Sequence, residues 1–155
     1  MNAKLFQINV NPDGGVPKLR VEAAKLGFEG VEGDRQNNLK YHGGPMRAVC
    51  LFSLEVIESL RSEGHPIEAG ATGENLTLAG LDWSETVPGV RLQIGDAQLE
   101  ITSYTRPCHQ IRASFAGGEF MRPWQKTHPG QSRVYARVLK EAIVREGDAV
   151  SILEN

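Results

Sequence analysis

Two thiols, Cys50 and Cys108, are the candidate nucleophiles of this sequence, and their neighbours separate them. Cys50 lies in Ala48-Val49-Cys50-Leu51-Phe52, an apolar run that reads as a buried strand. A free cysteine in such a run packs as a small hydrophobe. Cys108 follows Thr105-Arg106-Pro107, where proline ends a strand ladder and leaves the thiol in a loop. Arg106 and His109 flank it, cations suited to lowering a thiol pKa. The thiolate is the form that attacks electrophiles or ligates a metal. Cys108 is therefore the candidate catalytic and metal-ligating residue, against the alternative of a buried structural thiol.

Two further stretches have the residue types of a binding site. Tyr41-His42-Gly43-Gly44-Pro45-Met46-Arg47 places paired glycines where backbone N–H groups converge on an anion, with His42 and Arg47 as charged donors. The same string also makes an ordinary turn. In Gly70-Ala71-Thr72-Gly73-Glu74-Asn75-Leu76, the Asn75 amide can read a heterocycle edge or satisfy local backbone. Charge is uneven around them. Residues 102–145 hold 8 Lys and Arg against 2 Glu, although the 155-residue chain carries a net charge of -2. A positive segment in a mildly acidic chain points to a local anion site, with a solvated basic face as the alternative, and argues against a broad nucleic-acid surface. The sequence has no HExxH, no paired CxxC, no P-loop and no GxGxxG opening a helix. Its two cysteines fall short of the four that an iron–sulfur cluster normally takes, so electron transfer would need an external donor.

These residues are positioned mainly by strands. Phe6, Ile8 and Val10 alternate with polar neighbours, as do Leu92 and Ile94, and Leu99 and Ile101. Val134, Ala136 and Val138 form one face of a strand whose other face carries Tyr135, Arg137 and Leu139. Asn11-Pro12-Asp13-Gly14-Gly15, Pro88-Gly89, Gly95-Asp96 and Gly147-Asp148 supply turns. One helix is expected over 54–62, capped by Ser53 and stopped at Gly64, and a shorter helical stretch over 110–115. Residues 117–131 read as a long loop carrying Phe120, Met121 and Trp124. With 40% apolar and 23% charged residues, the composition is that of one globular domain spanning 1–155. No apolar run is long enough for a membrane helix, and Met1–Val10 lacks the pattern of an export signal. A cytoplasmic location without membrane attachment is expected. The fold class expected is mainly β: a closed small barrel of antiparallel strands with one to three short helices.

Read in order, Gly14-Gly15-Val16-Pro17-Lys18, Gly33-Asp34-Arg35-Gln36, His42-Gly43-Gly44, Gly73-Glu74-Asn75-Leu76, Ile94-Gly95-Asp96, Arg106-Pro107-Cys108 and Gly147-Asp148-Ala149-Val150 resemble the molybdenum cofactor sulfurase C-terminal (MOSC) domain in its stand-alone bacterial form. The resemblance covers nearly the whole chain and implies a closed, mostly antiparallel barrel. It places the family's characteristic cysteine on Cys108, which in some members carries a persulfide and in others ligates the molybdenum of the molybdopterin cofactor. It also turns the His42-Gly43-Gly44 and Gly73-Glu74-Asn75-Leu76 stretches toward that cofactor, and Arg47, a charged donor beside the first stretch, joins them on its chemistry. Arg106, Arg137 and the Gly43-Gly44 backbone make a chemically sensible cradle for the pterin's phosphate. Strand alternation and charge offer Arg137 to that cradle, with a solvated strand arginine as the alternative, and Trp124 and Phe120 on their loop read either as a cover for substrate or as core-filling aromatics.

The function implied is an oxidoreductase that holds molybdenum cofactor through Cys108 and reduces N-hydroxylated or N-oxygenated small molecules with an external reductase. Two alternatives share the thiol: a sulfur carrier that forms a persulfide on Cys108 with a cysteine desulfurase as partner, and a non-catalytic molybdenum cofactor-binding module.

Overall fold

The structure is a computed structural model and describes residues 2–35 and 44–154. His42 and Gly43 lie outside the described residues. In chain order the strands are β1 (Lys4–Val10), β2 (Leu19–Val21), β3 (Ala23–Gly27), β4 (Gly30–Val31) and β5 (Val49–Ser53). Helix α1 (Leu54–Ser62) follows. Then come β6 (Leu76–Ala79), β7 (Arg91–Ile94), β8 (Ala97–Tyr104), β9 (Val134–Lys140), β10 (Ala142–Arg145) and β11 (Val150–Leu153).

Eight strands form one sheet in the order β11-β7-β8-β9-β5-β6-β1-β2, and β10, β3 and β4 form a second. The expected closed antiparallel barrel is not what the chain builds. β5 and β6 run parallel, because α1 returns the chain to the same end of the sheet before β6 begins. The sheet also stays open. The start of β1 meets the segment before β11 through one isolated bridge, Lys4 to Ala149, and Leu5 N–H donates to the Asp148 carbonyl at 2.8 Å. Among the described residues no ladder continues from there, since the far end of β1 pairs instead with β2. The strands β3 and β10, which a single barrel would have absorbed, pair with each other in the smaller sheet.

Helix α1 has the expected bounds. Ser53 Oγ accepts from Val56 N–H at 3.1 Å, an N-cap worth about 1 kcal/mol. Ile57 and Leu60 are its buried residues and join a core that includes Leu51, Leu78 and Phe115. The stretch expected over 110–115 is a 3-10 helix, His109–Ser114. Among the described residues no helix is long and apolar enough to cross a membrane.

Candidate active site around Cys108

Strand β8 ends at Tyr104 and delivers the chain to Cys108 within four residues. Pro107 is buried, whereas Cys108 is a free thiol of intermediate exposure. Its carbonyl accepts from Ile111 N–H at 3.2 Å, the first bond of the following 3-10 helix. Ile111 and Phe115, both in the core, tie that helix down and hold the thiol at the end of the sheet.

The outer face of the sheet beside this loop is polar. Alternation puts Val134 and Ala136 into the core and turns Tyr135 outward, opposite Cys50 on β5 and Ser103 on β8. Cys50 is buried in its strand as expected, and it sits on the face that carries Tyr135. Burial pushes its thiol up to about 12, so it stays protonated. Burial likewise raises the Tyr135 phenol, with Cys50 and Cys108 adding to the shift and Arg133 and Arg47 opposing it. Tyr135 thus presents a neutral phenol. The Arg47 guanidinium lies 5.6 Å from the Tyr135 ring centroid. It is delivered by the 3-10 turn Pro45–Arg47, which Gly44 opens at a φ of 82°. That left-handed conformation favours glycine.

Arg106 lies over the Trp124 ring at 5.4 Å from its centroid, and Lys126 does so at 5.3 Å. Residues 117–131 form the long irregular segment expected, and contacts tie it down. Arg122 forms an ion pair of 2.6 Å with Glu63 and donates to Gln131, while His65 Nδ1 accepts from Ala116 N–H at 3.0 Å. Arg137 is committed elsewhere: its Nη2 is 2.8 Å from Glu100, which also pairs with Arg91. The hydrogen bonds from Arg91 and Arg137 hold the Glu100 carboxyl below its ordinary range.

Asn75 sits in a buried polar network. Its Oδ1 accepts Cys50 N–H at 3.0 Å, and its Nδ2 donates to Asp34 at 2.8 Å and to the Asn9 carbonyl at 3.4 Å. Lys18 Nζ lies 2.7 Å from both Asp34 oxygens, with side chains only 3% and 4% exposed. Asp34 also accepts from Asn11 N–H at 2.8 Å. Gly70 packs so tightly here, at a φ of +86°, that a Cβ would fall 2.7 Å from the Lys18 carbonyl oxygen. The Gly-Val-Pro-Lys, Gly-Asp-Arg and Gly-Glu-Asn-Leu stretches thus meet each other and anchor the chain at Arg35, just before residues 36–43.

Glu74 shares this interior, accepting from Gly70 N–H, Thr72 and Thr77 at 2.9–3.0 Å. Burial raises its pKa above the ordinary 4.5 more than those bonds lower it. Folding therefore favours the protonated acid, and the stability it supplies is lost as pH rises through the folded pKa. Glu74→Gln is expected to raise Tm at about pH 8 by roughly 2–4 °C, with the gain shrinking toward about pH 4. Scanning calorimetry at both values checks it; a gain that grows on acidification contradicts it.

The structure thus sets Arg47 over Tyr135, a phenol within electrostatic reach of Cys108, and Arg106 over Trp124, places Asn75 in the network bonded to Cys50, and engages Arg137 with Glu100. Sequence reasoning turns Tyr135 outward without singling it out for the site, and passes over Thr105 and Arg133 on the same face. The signal was the two-residue period that had already turned Arg137 outward.

Known proteins agree with this picture at the level of family and fold. A model of the MOSC domain matches residues 38–151. YflK of Bacillus subtilis (strain 168) is 32% identical over 143 residues, which is 90% of this chain and 63% of that protein. YiiM of Escherichia coli (strain K12) is 29% identical over 129 residues, covering 78% of this chain and 58% of YiiM. The chain thus spans about three-fifths of the length of these curated relatives. The crystal structure of YiiM from Geobacillus stearothermophilus superimposes with a TM-score of 0.73 at 24% identity, over 98% of this chain and 75% of that one. That of YUAD from Bacillus subtilis gives 0.74 at 18% identity, over 97% and 94%. With the family model covering most of its length, the chain belongs to the MOSC domain family.

Proposed function

We propose that this MOSC protein binds molybdenum cofactor through Cys108 and reduces N-oxygenated small molecules with electrons from an external reductase. The observation that carries the reading is the placement of Cys108: a partly exposed free thiol at the end of β8, beside a face bearing cations and a neutral phenol. The donor set fits the cofactor. A thiolate is a soft ligand, and the pterin with its phosphate is anionic, so Arg106 and Arg47 offset its charge.

When bound, the metal supplies two-electron oxygen-atom chemistry that no side chain provides. The net change takes two electrons and two protons, releasing the amine and water from an N-hydroxyl compound. Cys108 would anchor the metal. Tyr135 would contribute a hydroxyl that keeps its proton, avoiding a further negative charge beside the anionic cofactor. The Trp124 ring, in contact with Arg106 and Lys126, would form one side of the entrance.

Protein purified from a host that makes the cofactor is expected to contain molybdenum and oxidisable pterin, and to turn over N-hydroxylated substrates with a supplied reductase. Absence of both metal and pterin, beside a positive control, rejects the reading. A single extra sulfur on Cys108 after incubation with a cysteine desulfurase, without metal, replaces it with sulfur transfer. Retention without turnover reduces it to a cofactor-binding module.

A further inference from the structure

The last registered pair of β8 and β9 is Tyr104 with Val134, and the pairing runs one residue further, Thr105 N–H donating to the Arg133 carbonyl at 3.0 Å. Thr105 and Arg133 are therefore opposite each other, on the face that carries Tyr135 and Cys50. Both are buried, at 3% and 7% exposure. Arg133 Nη1 donates to the Thr72 carbonyl at 2.6 Å, but among the described residues Nε has no hydrogen-bond partner, and neither has Thr105 Oγ1. Among the described residues no carboxylate pairs with this guanidinium. A buried cation without a counter-ion, next to a buried hydroxyl without an acceptor, is costly unless an anion serves both.

We infer that Arg133 and Thr105 form a receptor for a phosphate-class oxyanion at the base of the Cys108 loop. Thr105 stands three residues before Cys108. A phosphate monoester carries nearly two negative charges and three terminal oxygens, enough to accept from Nε–H and Oγ1–H together and to balance the guanidinium. Arg47, over the neighbouring Tyr135 ring, adds positive potential on the same face. The receptor stands on the two unpartnered atoms alone; assigning its occupant as the phosphate of the pterin rests on the function proposed above.

The test uses metal-free protein in a buffer without oxyanions, titrated with inorganic phosphate and, separately, acetate. Phosphate is expected to raise Tm saturably, and acetate to do so far less. Thr105→Val removes a hydroxyl that bonds to nothing, so without anion it should unfold no earlier than the parent. It should nevertheless bind phosphate about fivefold more weakly, a loss that a purely structural threonine would not show. Arg133→Lys, which keeps the charge but loses the fork, is expected to lose about tenfold. Equal phosphate affinity in the parent and both variants overturns the receptor. So does the absence of any shift in the parent at millimolar phosphate, which leaves the two atoms to an ordered water only.

A second arm measures pterin per chain in protein from a cofactor-producing host. Reduced pterin in Thr105→Val supports the assignment to the pterin phosphate, and unchanged pterin overturns that assignment. Phosphate binding with no pterin in the parent leaves the receptor standing and removes the proposed function.

Discussion

Asp34→Ala is expected to destabilise the protein by about 3–5 kcal/mol, the cost of leaving a buried charge without its partner. At this chain length that lowers Tm by on the order of 10 °C. The carboxylate takes both short contacts from Lys18 Nζ and bonds from Asn11 N–H and the Asn75 amide. Removing it orphans all three donors in a region where Lys18 and Asp34 are almost fully enclosed. Exposed pairs give the contrast. Losing the Arg91–Glu100 contact should cost under about 1 kcal/mol, because solvent screens it. The double variant Lys18→Met/Asp34→Leu removes charge and counter-charge together and should recover much of the loss, since buried ion pairs replaced by apolar groups are often neutral. Urea unfolding of the four proteins measures this. A single-variant loss below about 1 kcal/mol would mean that water reaches the pair and that it does not anchor the chain at Arg35.

Where local chemistry decides, the structure was legible from the residues. Ser53 and the spacing of Leu54, Ile57 and Leu60 specify α1 without help from the rest of the chain. The alternation from Val134 to Leu139 assigns the faces of β9 correctly, including the outward turn of Tyr135 and Arg137. Phe6 shows how such an alternation fails. The register shifts between Leu5 and Gln7, so Leu5 enters the core and Phe6 is left outside.

Barrel closure was misread for a related reason. Whether β5 and β6 run parallel is set by where the chain lands after α1, a long-range outcome with no local mark. β3 is rich in alanine and glycine and carries little pattern to announce a second sheet.

The candidate site divides along the same line. Pro107 marks the Cys108 loop in one dimension. What separates Arg137 from Arg133 is the residue opposite each: Glu100 for the first, Thr105 for the second. Asn75 looked available as a loop amide because the strand carrying Cys50 and the turn carrying Asp34 are distant in sequence.

Cys108→Ser is expected to leave the fold intact and abolish molybdenum retention. The side chain is partly exposed at a loop end, so the change should cost less than about 0.5 kcal/mol. A serine hydroxyl does not ionise near neutral pH and is a poor ligand for a centre that selects thiolate. Cys50→Ala is the matched control. It removes a buried sulfur and should cost of order 1 kcal/mol while metal retention stays at parental level.

The thiols are further distinguished by reactivity. With burial holding Cys50 at about 12, iodoacetamide at about pH 8 should label the folded protein once, at Cys108, and label Cys50 only after denaturation. Metal analysis of the three proteins, with intact mass after alkylation, decides the matter. Metal retained by Cys108→Ser, or lost equally in Cys50→Ala, would remove Cys108 from the role of ligand. The cations and the phenol on the neighbouring face would then need another centre to serve.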